Sequence, residues 1–219
     1  MTGMADLTLD ELRIALAPEI ARAAVFDGWS ELAVRNAAGV AGVDPDVALL
    51  AWPGGAMDMI EGWAGAIDAA MARDLPPETL ATLPIRERIR RLVQYRLDAA
   101  APDEEALRRA LAIMAMPQNA ARAVRLGWRS ADAMWRLAGD TATDYNHYTK
   151  RAMLGSIYAA TLAVFVGDES EGKAETRAFL DRRIDGVMRI EKAKARLLNP
   201  DREGFSMTRF LGRLRYPAR

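Results

Sequence analysis

The sequence predicts an all-α protein, because apolar residues recur at helical spacing along nearly its whole length. Leu12, Leu16 and Ile20 fall on one side of a first predicted helix. Residues that commonly end or begin helices separate such segments: Gly28 suits a C-terminal cap and Ser30 an N-terminal cap. We therefore expect a series of helices joined by short turns.

Composition limits the chemistry that this protein can perform. The chain has 219 residues, of which 51% are hydrophobic and 27% charged, with a formal net charge of zero. Zero net charge argues against a general polyanion binder. The chain has no cysteine, which excludes disulfides and cysteine nucleophiles, and its single histidine, His147, leaves little scope for a zinc or iron site. We expect no metal and no catalytic cofactor.

Helical periodicity and turn residues together place the elements in order along the chain. The helices are predicted over residues 9–26, 31–42, 45–52, 56–73, 85–100, about 103–114, 117–135, 145–166 and 173–198. The helix over 85–100 is basic and amphipathic. Its apolar residues are expected to face inward, and its arginines mostly outward: Arg86, Arg88, Arg90, Arg91 and Arg96.

Three short helices followed by a longer one, with glycine-bearing turns, favour a helix-turn-helix region over residues 1–53. Three ordinary packed helices fit the same pattern. A DNA-binding version needs basic and amide side chains on its third helix, which here reads DPDVALLAW. Residues 36–72 contain five acids and no lysine or arginine, so contacts with DNA phosphates are disfavoured. We expect a degenerate region that does not bind nucleic acid.

The stretch over residues 134–151, MWRLAGDTATDYNHYTKR, joins a polar turn to an apolar helix. The next fifteen residues, 152–166, carry no charge, so this helix is predicted to be buried on all sides. Asp140, Asp144 and His147 could form an acid/base cluster. Aspartates at a turn before a helix are far more often caps, and no nucleophile or metal set accompanies them. We therefore do not expect an enzyme.

The C-terminal residues 201–219 contain a short amphipathic segment. Its apolar side chains share one helical face: Met207, Phe210, Leu211 and Leu214. Arg209 and Arg213 lie beside or opposite that face. Half-burial of four such side chains in lipid contributes roughly 3–6 kcal/mol, and each arginine near anionic lipid adds about 1 kcal/mol. The segment is predicted to bind membranes reversibly, although docking on its own domain would use the same face.

One long motif resembles a known family. It consists of Trp135, Ala138, Gly139, Asp140, Thr143, Asp144, Tyr145, Asn146, Tyr148, Thr149 and Arg151, followed by an apolar helix and by Phe179, Leu180 and Arg183. Weaker matches include the residues 26–29 and 114–119. This pattern is similar to the signature of the ubiquinone biosynthesis accessory family called coenzyme Q biosynthesis protein nine.

That resemblance implies a fold like that of the TetR repressors, with a helical ligand domain over residues 54–200 and a homodimeric assembly. It also implies no enzymatic activity. Family members bind isoprenoid or other lipids and present ubiquinone precursors to a membrane-associated di-iron hydroxylase. By position, the hydroxylase-binding patch corresponds to Asp144, Asn146, His147 and Tyr148. Animal members often have tryptophan where this chain has His147, and histidine offers less apolar area.

Apolar residues around the motif are candidates for a lipid pocket. They are Met114, Met116, Trp128, Met134, Trp135, Met153, Ile157, Tyr158 and Leu162. Methionines adapt to irregular ligands and aromatic rings supply large contact faces. A solid core would use the same residues, so the pattern leaves both interpretations open.

The N-terminal residues MTGMADLTLDEL lack the features of a signal or transit peptide, and the longest uncharged apolar run is too short to span a bilayer. We expect an intracellular protein at the cytoplasmic face of a bacterial inner membrane, or on the matrix side of the mitochondrial inner membrane in eukaryotic relatives. The alternative function is that of a TetR-type, ligand-responsive transcriptional regulator, which the helix-turn-helix layout alone suggests.

Overall fold

The computed structural model describes residues 7–141 and 145–198, and every regular element in this part of the chain is helical. The helices are α1 Leu9–Asp27, α2 Glu31–Ala41, α3 Pro45–Leu50, α4 Ala56–Asp74, α5 Pro77–Ala81, α6 Ile85–Ala100, α7 Glu104–Met114, α8 Ala120–Leu137, α9 Tyr145–Phe165 and α10 Ala174–Leu198. The prediction of an all-α protein is confirmed. The short helix α5 was not predicted, since Pro76-Pro77 and Pro84 indicated only a connector.

Local capping explains where the first helices begin and end. The Thr8 hydroxyl accepts a hydrogen bond from the Glu11 N–H, and the Glu11 carboxylate accepts one from the Thr8 N–H, which together form a capping box. Ser30 and Asp44 cap α2 and α3 as predicted, and Gly42 ends α2 in a left-handed conformation with φ 68°. Helix α3 ends two residues before the predicted position.

The N-terminal helices are continuous with the rest of the core. Helix α1 packs against both α2 and α4. The indole N–H of Trp29 donates to the backbone carbonyl of Ala106 in α7 at 2.9 Å, and its ring lies 5.5 Å from that of Trp63 in α4. The predicted boundary at residue 53 thus lies within one compact unit, Met1–Asp181; the second unit is Arg182–Arg219.

Three acidic side chains of α4 form part-buried ion pairs with neighbouring helices. Asp58 and Glu61 contact Arg122 of α8 at 2.5 and 2.8 Å, and Asp68 contacts Arg96 of α6. The acidic character of residues 36–72 therefore serves in part to join α4 to the helices that surround it.

The outward placement predicted for the arginines of α6 is wrong for Arg96, which is 2% exposed. Arg91 is exposed, and Arg86, Arg88 and Arg90 are half-buried. Arg88 donates to the backbone carbonyls of Leu83, Ala81 and Ala138, and so fixes the connector before α6 and the end of α8. These arginines thus donate to backbone carbonyls and carboxylates of the elements that neighbour α6.

Helix α9 is not buried on all sides, contrary to the prediction. Leu154, Tyr158 and Phe165 are buried, whereas the small residues on the opposite side are exposed: Ala152, Ser156, Ala159 and Ala163. The prediction failed because alanine and serine are uncharged without being bulky, so absence of charge does not require burial. The predicted caps of this helix, Thr143 and Asp144, lie outside the described residues. Within the described ranges, none of the helices is long and apolar enough to cross a membrane.

Candidate functional site

An apolar cavity of about 280 Å³ lies among α4, α6, α7, α8 and α9. Its walls include Ile60, Trp63, Ala64, Ile67, Ala100, Leu107, Ala110, Leu111, Met114, Ala115, Ala123, Leu126, Gly127, Gly155, Tyr158, Ala159 and Leu162. This volume is close to the lower end of the range of about 300–1,000 Å³ that is typical of small-molecule pockets. Side chains of this kind suit the binding of an apolar ligand.

Two polar side chains interrupt the apolar lining. Arg96 reaches the cavity from α6 and Ser130 from α8, and a guanidinium N–H of Arg96 donates to the Ser130 hydroxyl at 3.0 Å. The guanidinium also pairs with Asp68 and lies 4.9 Å from the centre of the Tyr158 ring. One part of the cavity wall is therefore charged, hydrogen-bonded and aromatic, while the rest is hydrocarbon.

Three of the nine residues predicted to bind lipid line this cavity: Met114, Tyr158 and Leu162. The other six, Met116, Trp128, Met134, Trp135, Met153 and Ile157, do not. Met116 is exposed and Met134 is completely buried. The Trp135 indole donates to the Lys150 carbonyl at 3.0 Å and so joins α8 to α9. Helical spacing selects apolar residues, but it does not distinguish the face toward the cavity from the face toward a neighbouring helix.

A second, shallow groove lies on the surface between α8 and α9. We call it the aromatic groove; it is lined by Trp128, Tyr148, Thr149, Ala152, Met153 and Ser156. The Trp128 and Tyr148 rings are 6.0 Å apart, and the His147 ring meets Tyr148 edge-on at 5.2 Å. Tyr148 is 62% exposed. Of the predicted partner-binding residues, His147 and Tyr148 thus lie together, while Asp144 and the side chain of Asn146 are outside the described residues.

A set of ion pairs lies beside the aromatic groove. Arg151 is 2% exposed and pairs with Asp140 at 3.0 Å and with Asp132 at 2.6 Å, and Lys150 pairs with Asp140 at 2.7 Å. Burial opposes ionisation of Asp140, but hydrogen bonds from Lys150 and Arg151 outweigh it, so the pKa of this carboxyl is held below its ordinary value. Asp140 therefore joins the turn after α8 to the second turn of α9 through two ion pairs.

Arg96 is the cavity residue that the sequence interpretation missed. The signal was nonetheless present, because position 96 follows Leu92 by four residues and Val93 by three, on the inward face of α6. A lone arginine on an apolar face indicates a buried ion pair or a polar binding group. In the described part of the chain, no group of three or more His, Asp or Glu residues could hold a metal ion.

Comparison with known proteins bears on the motif that forms the aromatic groove. Residues 120–191, which include α8 and α9, match the model of the COQ9 family. The ubiquinone biosynthesis protein COQ9, mitochondrial, of Rattus norvegicus is 40% identical over 102 residues, and that of Homo sapiens is 38% identical over 102 residues. The resemblance to the COQ9 family is confirmed.

The COQ9 matches cover part of each protein. The rat and human alignments include 47% of this chain and 33% and 32% of the relatives, so the matched segment spans about a third of their length. The mitochondrial COQ9 protein of Drosophila melanogaster is 27% identical over 168 residues, which cover 75% of this chain and 51% of that one. The likeness to COQ9 thus extends beyond α8 and α9 toward the other helices.

The fold has a solved counterpart. The crystal structure of a TetR transcriptional regulator from Nitrosomonas europaea superposes with a TM-score of 0.59 and 21% identity, covering 82% of this chain and 97% of that one. The TetR-like fold predicted from the COQ9 motif is confirmed. At this level of identity the likeness concerns the fold alone.

Proposed function

We propose that this protein is a non-enzymatic, lipid-binding accessory protein of ubiquinone biosynthesis that presents isoprenoid quinone precursors to the di-iron demethoxyubiquinone hydroxylase. The observation that carries the proposal is an apolar cavity whose walls include α8 and α9, the two helices that lie in the segment matching COQ9. The names of the rat and human relatives support the pathway.

The position of the cavity relative to the aromatic groove supports presentation to a partner. Both are built on α8 and α9: Gly127 lines the cavity and Trp128 the groove, while on α9 Gly155 lines the cavity and Ser156 the groove. A partner bound in the groove would contact the same two helices that enclose the ligand. Its binding could therefore move the helices through which the ligand must leave.

A cavity-filling variant tests ligand binding. A Cβ added at Gly127 meets nothing within 4 Å, so Gly127→Leu should fold and place its side chain toward the cavity. We expect the purified variant to lose the co-purifying isoprenoid or phospholipid that native mass spectrometry should detect in the wild type. Gly65→Leu is the matched control, because Gly65 is exposed on α4, also has open space and does not line the cavity. Equal lipid content in all three proteins would contradict binding in this cavity.

Exposed Tyr148 tests the docking of the hydroxylase. Tyr148→Ala removes the ring that contacts both Trp128 and His147, so it should weaken association with the hydroxylase in a pull-down at least several-fold while leaving the melting temperature nearly unchanged. Asn146→Ala is expected to act in the same direction. Val124→Ala, exposed on α8 and outside the aromatic groove, is the control. Unchanged capture by Tyr148→Ala would place the partner surface elsewhere.

The alternative, a ligand-responsive transcriptional regulator, is favoured by the TetR-like fold. The charge of α3, however, is unfavourable for binding DNA. Helix α3 has six residues and none of them is basic, and Asp44 and Asp46 are exposed at its start. Carboxylates in that position repel DNA phosphates, which supply most nonspecific affinity. DNA binding with a steep salt dependence in a gel-shift assay would restore this alternative.

A further inference from the structure

Arg96 carries more hydrogen-bonding capacity than its protein partners use. One terminal nitrogen pairs with Asp68 and the other donates to Ser130, whereas Nε–H is buried and has no acceptor among the residues that the structure describes. A buried donor without an acceptor is costly, so such groups indicate a missing partner. Arg96 also lines the apolar cavity.

The charge of Arg96 is already compensated. Asp68 is 21% exposed and supplies one negative charge against the one positive charge of the guanidinium. A ligand carboxylate or phosphate placed beside Arg96 would therefore be a second anion facing a single cation in an apolar enclosure. Burial of such an uncompensated charge is strongly unfavourable. A neutral oxygen can accept from Nε–H without that penalty.

The dimensions of the cavity set the size of the ligand portion near Arg96. At about 280 Å³ it is roughly twice the ~150 Å³ cavity that holds one benzene molecule. One ring with a chain of several carbons fills this space. Tyr158, whose ring centre lies 4.9 Å from the guanidinium carbon, and Trp63 are both part of the wall, so a flat ring has an aromatic surface to contact.

We propose that the unpaired donor of Arg96, which lines the α4–α9 cavity, selects ligands that carry a neutral hydrogen-bond acceptor, such as a carbonyl, ether or hydroxyl oxygen, on a ring-sized head, and that it disfavours ligands that place a carboxylate or phosphate beside Arg96. This inference rests on the proposed lipid-binding function and adds to it the chemistry and the orientation of the ligand. The polar head lies against Arg96 and the hydrocarbon occupies the rest of the cavity. Arg96 is thus a specificity-determining residue.

Three ligands of nearly equal shape test the proposal by isothermal titration of the full-length, delipidated protein. They are para-pentylacetophenone, which has a neutral acceptor, para-ethylpentylbenzene, which has none, and para-pentylbenzoate, which is an anion. We expect the wild type to bind the ketone about tenfold more tightly than the hydrocarbon, the equivalent of one hydrogen bond that satisfies a buried donor. The benzoate should bind more weakly than the ketone.

Two variants assign the selectivity to Arg96. Arg96→Lys keeps a positive charge opposite Asp68 but lacks Nε–H, so the preference for the ketone should fall to about twofold or less while hydrocarbon affinity changes little. The double variant Arg96→Met with Asp68→Asn removes both charges together and avoids an unpaired carboxylate, and it should show the same loss. Arg129→Lys is the control, because Arg129 pairs with Glu61 on the surface and does not line the cavity.

The outcomes separate this inference from the proposed function. If all three ligands bind the wild type equally and Gly127→Leu abolishes their binding, the cavity holds ligands but Arg96 does not select them, and only this inference is overturned. Tightest binding of the benzoate, or a ketone preference retained in both Arg96 variants, would overturn it as well. If none of the ligands binds the wild type, both the inference and the proposed lipid-binding function fail.

Discussion

Among individual side chains, the ion pairs of Asp140, Lys150 and Arg151 show how the motif that resembles COQ9 folds. The turn after α8 brings the Asp140 carboxylate back to two consecutive cations on α9, and Arg151 reaches further to Asp132 on α8. These ion pairs join the beginning of α9, where Tyr148 and His147 lie, to α8 and the turn that follows it.

The lowered pKa of Asp140 predicts how stability depends on pH. Its folded-state pKa lies below the unfolded-state value of about 3.9, so the stabilisation is present above about pH 4 and is lost as the pH falls through the folded-state pKa. Asp140→Asn should unfold at lower urea concentration than the wild type at pH 7. The difference should shrink as the pH is lowered below about 4.

The exposed pair between Arg136 and Asp132 provides the comparison for that experiment. The Arg136 side chain is 74% exposed, and such pairs contribute only about 0–1 kcal/mol. Arg136→Met should therefore leave the urea midpoint close to that of the wild type at every pH. A midpoint for Asp140→Asn equal to the wild type at pH 7 would show that these ion pairs do not stabilise the fold.

Asp140, Arg151 and Arg96 show how far the sequence predicts the contacts of individual side chains. The motif spacing identified Asp140 and Arg151, but it could not tell which cation would meet which carboxylate, since that depends on the turn between α8 and α9. Arg96 was assigned outward because arginine is ordinarily solvated, although its position on α6 indicated the inward face. The contact with Asp68 of α4 that allows its burial joins residues 28 positions apart and leaves no local signal.

At the scale of the element, α9 has two faces of different composition. Leu154, Tyr158 and Phe165 pack inward, and Ala152, Ser156, Ala159 and Ala163 recur at intervals of three and four residues on the exposed side. Small side chains permit close approach of another helix. Ala163 lines neither the cavity nor the aromatic groove, so its end of this face is a suitable surface for the homodimer that the COQ9 resemblance implies, which stays a prediction.

A charged substitution on that face tests the homodimer. Ala163 is exposed, so Ala163→Arg should be accommodated without loss of helical content, yet it would place two like charges across a symmetric interface. We expect light scattering after size exclusion to show a dimer for the wild type and a monomer for Ala163→Arg. Ala69→Arg, on an exposed position of α4, should remain a dimer. A dimeric Ala163→Arg would exclude this face of α9 as the interface.

Helix boundaries were predicted closely because capping residues act locally. Ser30, Gly42 and Asp44 occupy the cap positions that their chemistry favours. Helix α5 was missed because the prolines before and after it suggested a break, whereas proline is also a favourable first residue of a helix, as Pro77 is here. The lining of the cavity could not be derived from periodicity, since it requires the relative positions of five helices.

In the molecule as a whole, the TetR-like fold combines a cavity among its helices with an N-terminal region whose third helix, α3, contains no basic residue. The acids of residues 36–72 are divided between two uses: Asp58, Glu61 and Asp68 join α4 to α6 and α8, while Asp44 and Asp46 lie exposed at the start of α3. A scaffold with these features can hold an apolar ligand without binding DNA. Under the proposed function, we expect another part of the chain to give that ligand access to the membrane.

The amphipathic residues 201–219 are the candidate for that access, and they lie outside the described residues. Deletion of residues 202–219 should sharply reduce sedimentation with liposomes that contain anionic lipid, because it removes Met207, Phe210, Leu211 and Leu214 together with Arg209 and Arg213. Replacement of Phe210 and Leu211 by serine should reduce liposome binding as well, whereas Arg209→Lys with Arg213→Lys should preserve it, since the charge is kept.

The thermal unfolding transition should stay nearly unchanged in all three variants, because the cavity and its ion pairs lie in the compact unit Met1–Asp181. Equal liposome binding by the deletion variant and the wild type would reject a membrane role for this segment, and a lowered melting temperature would instead indicate that it docks on its own domain.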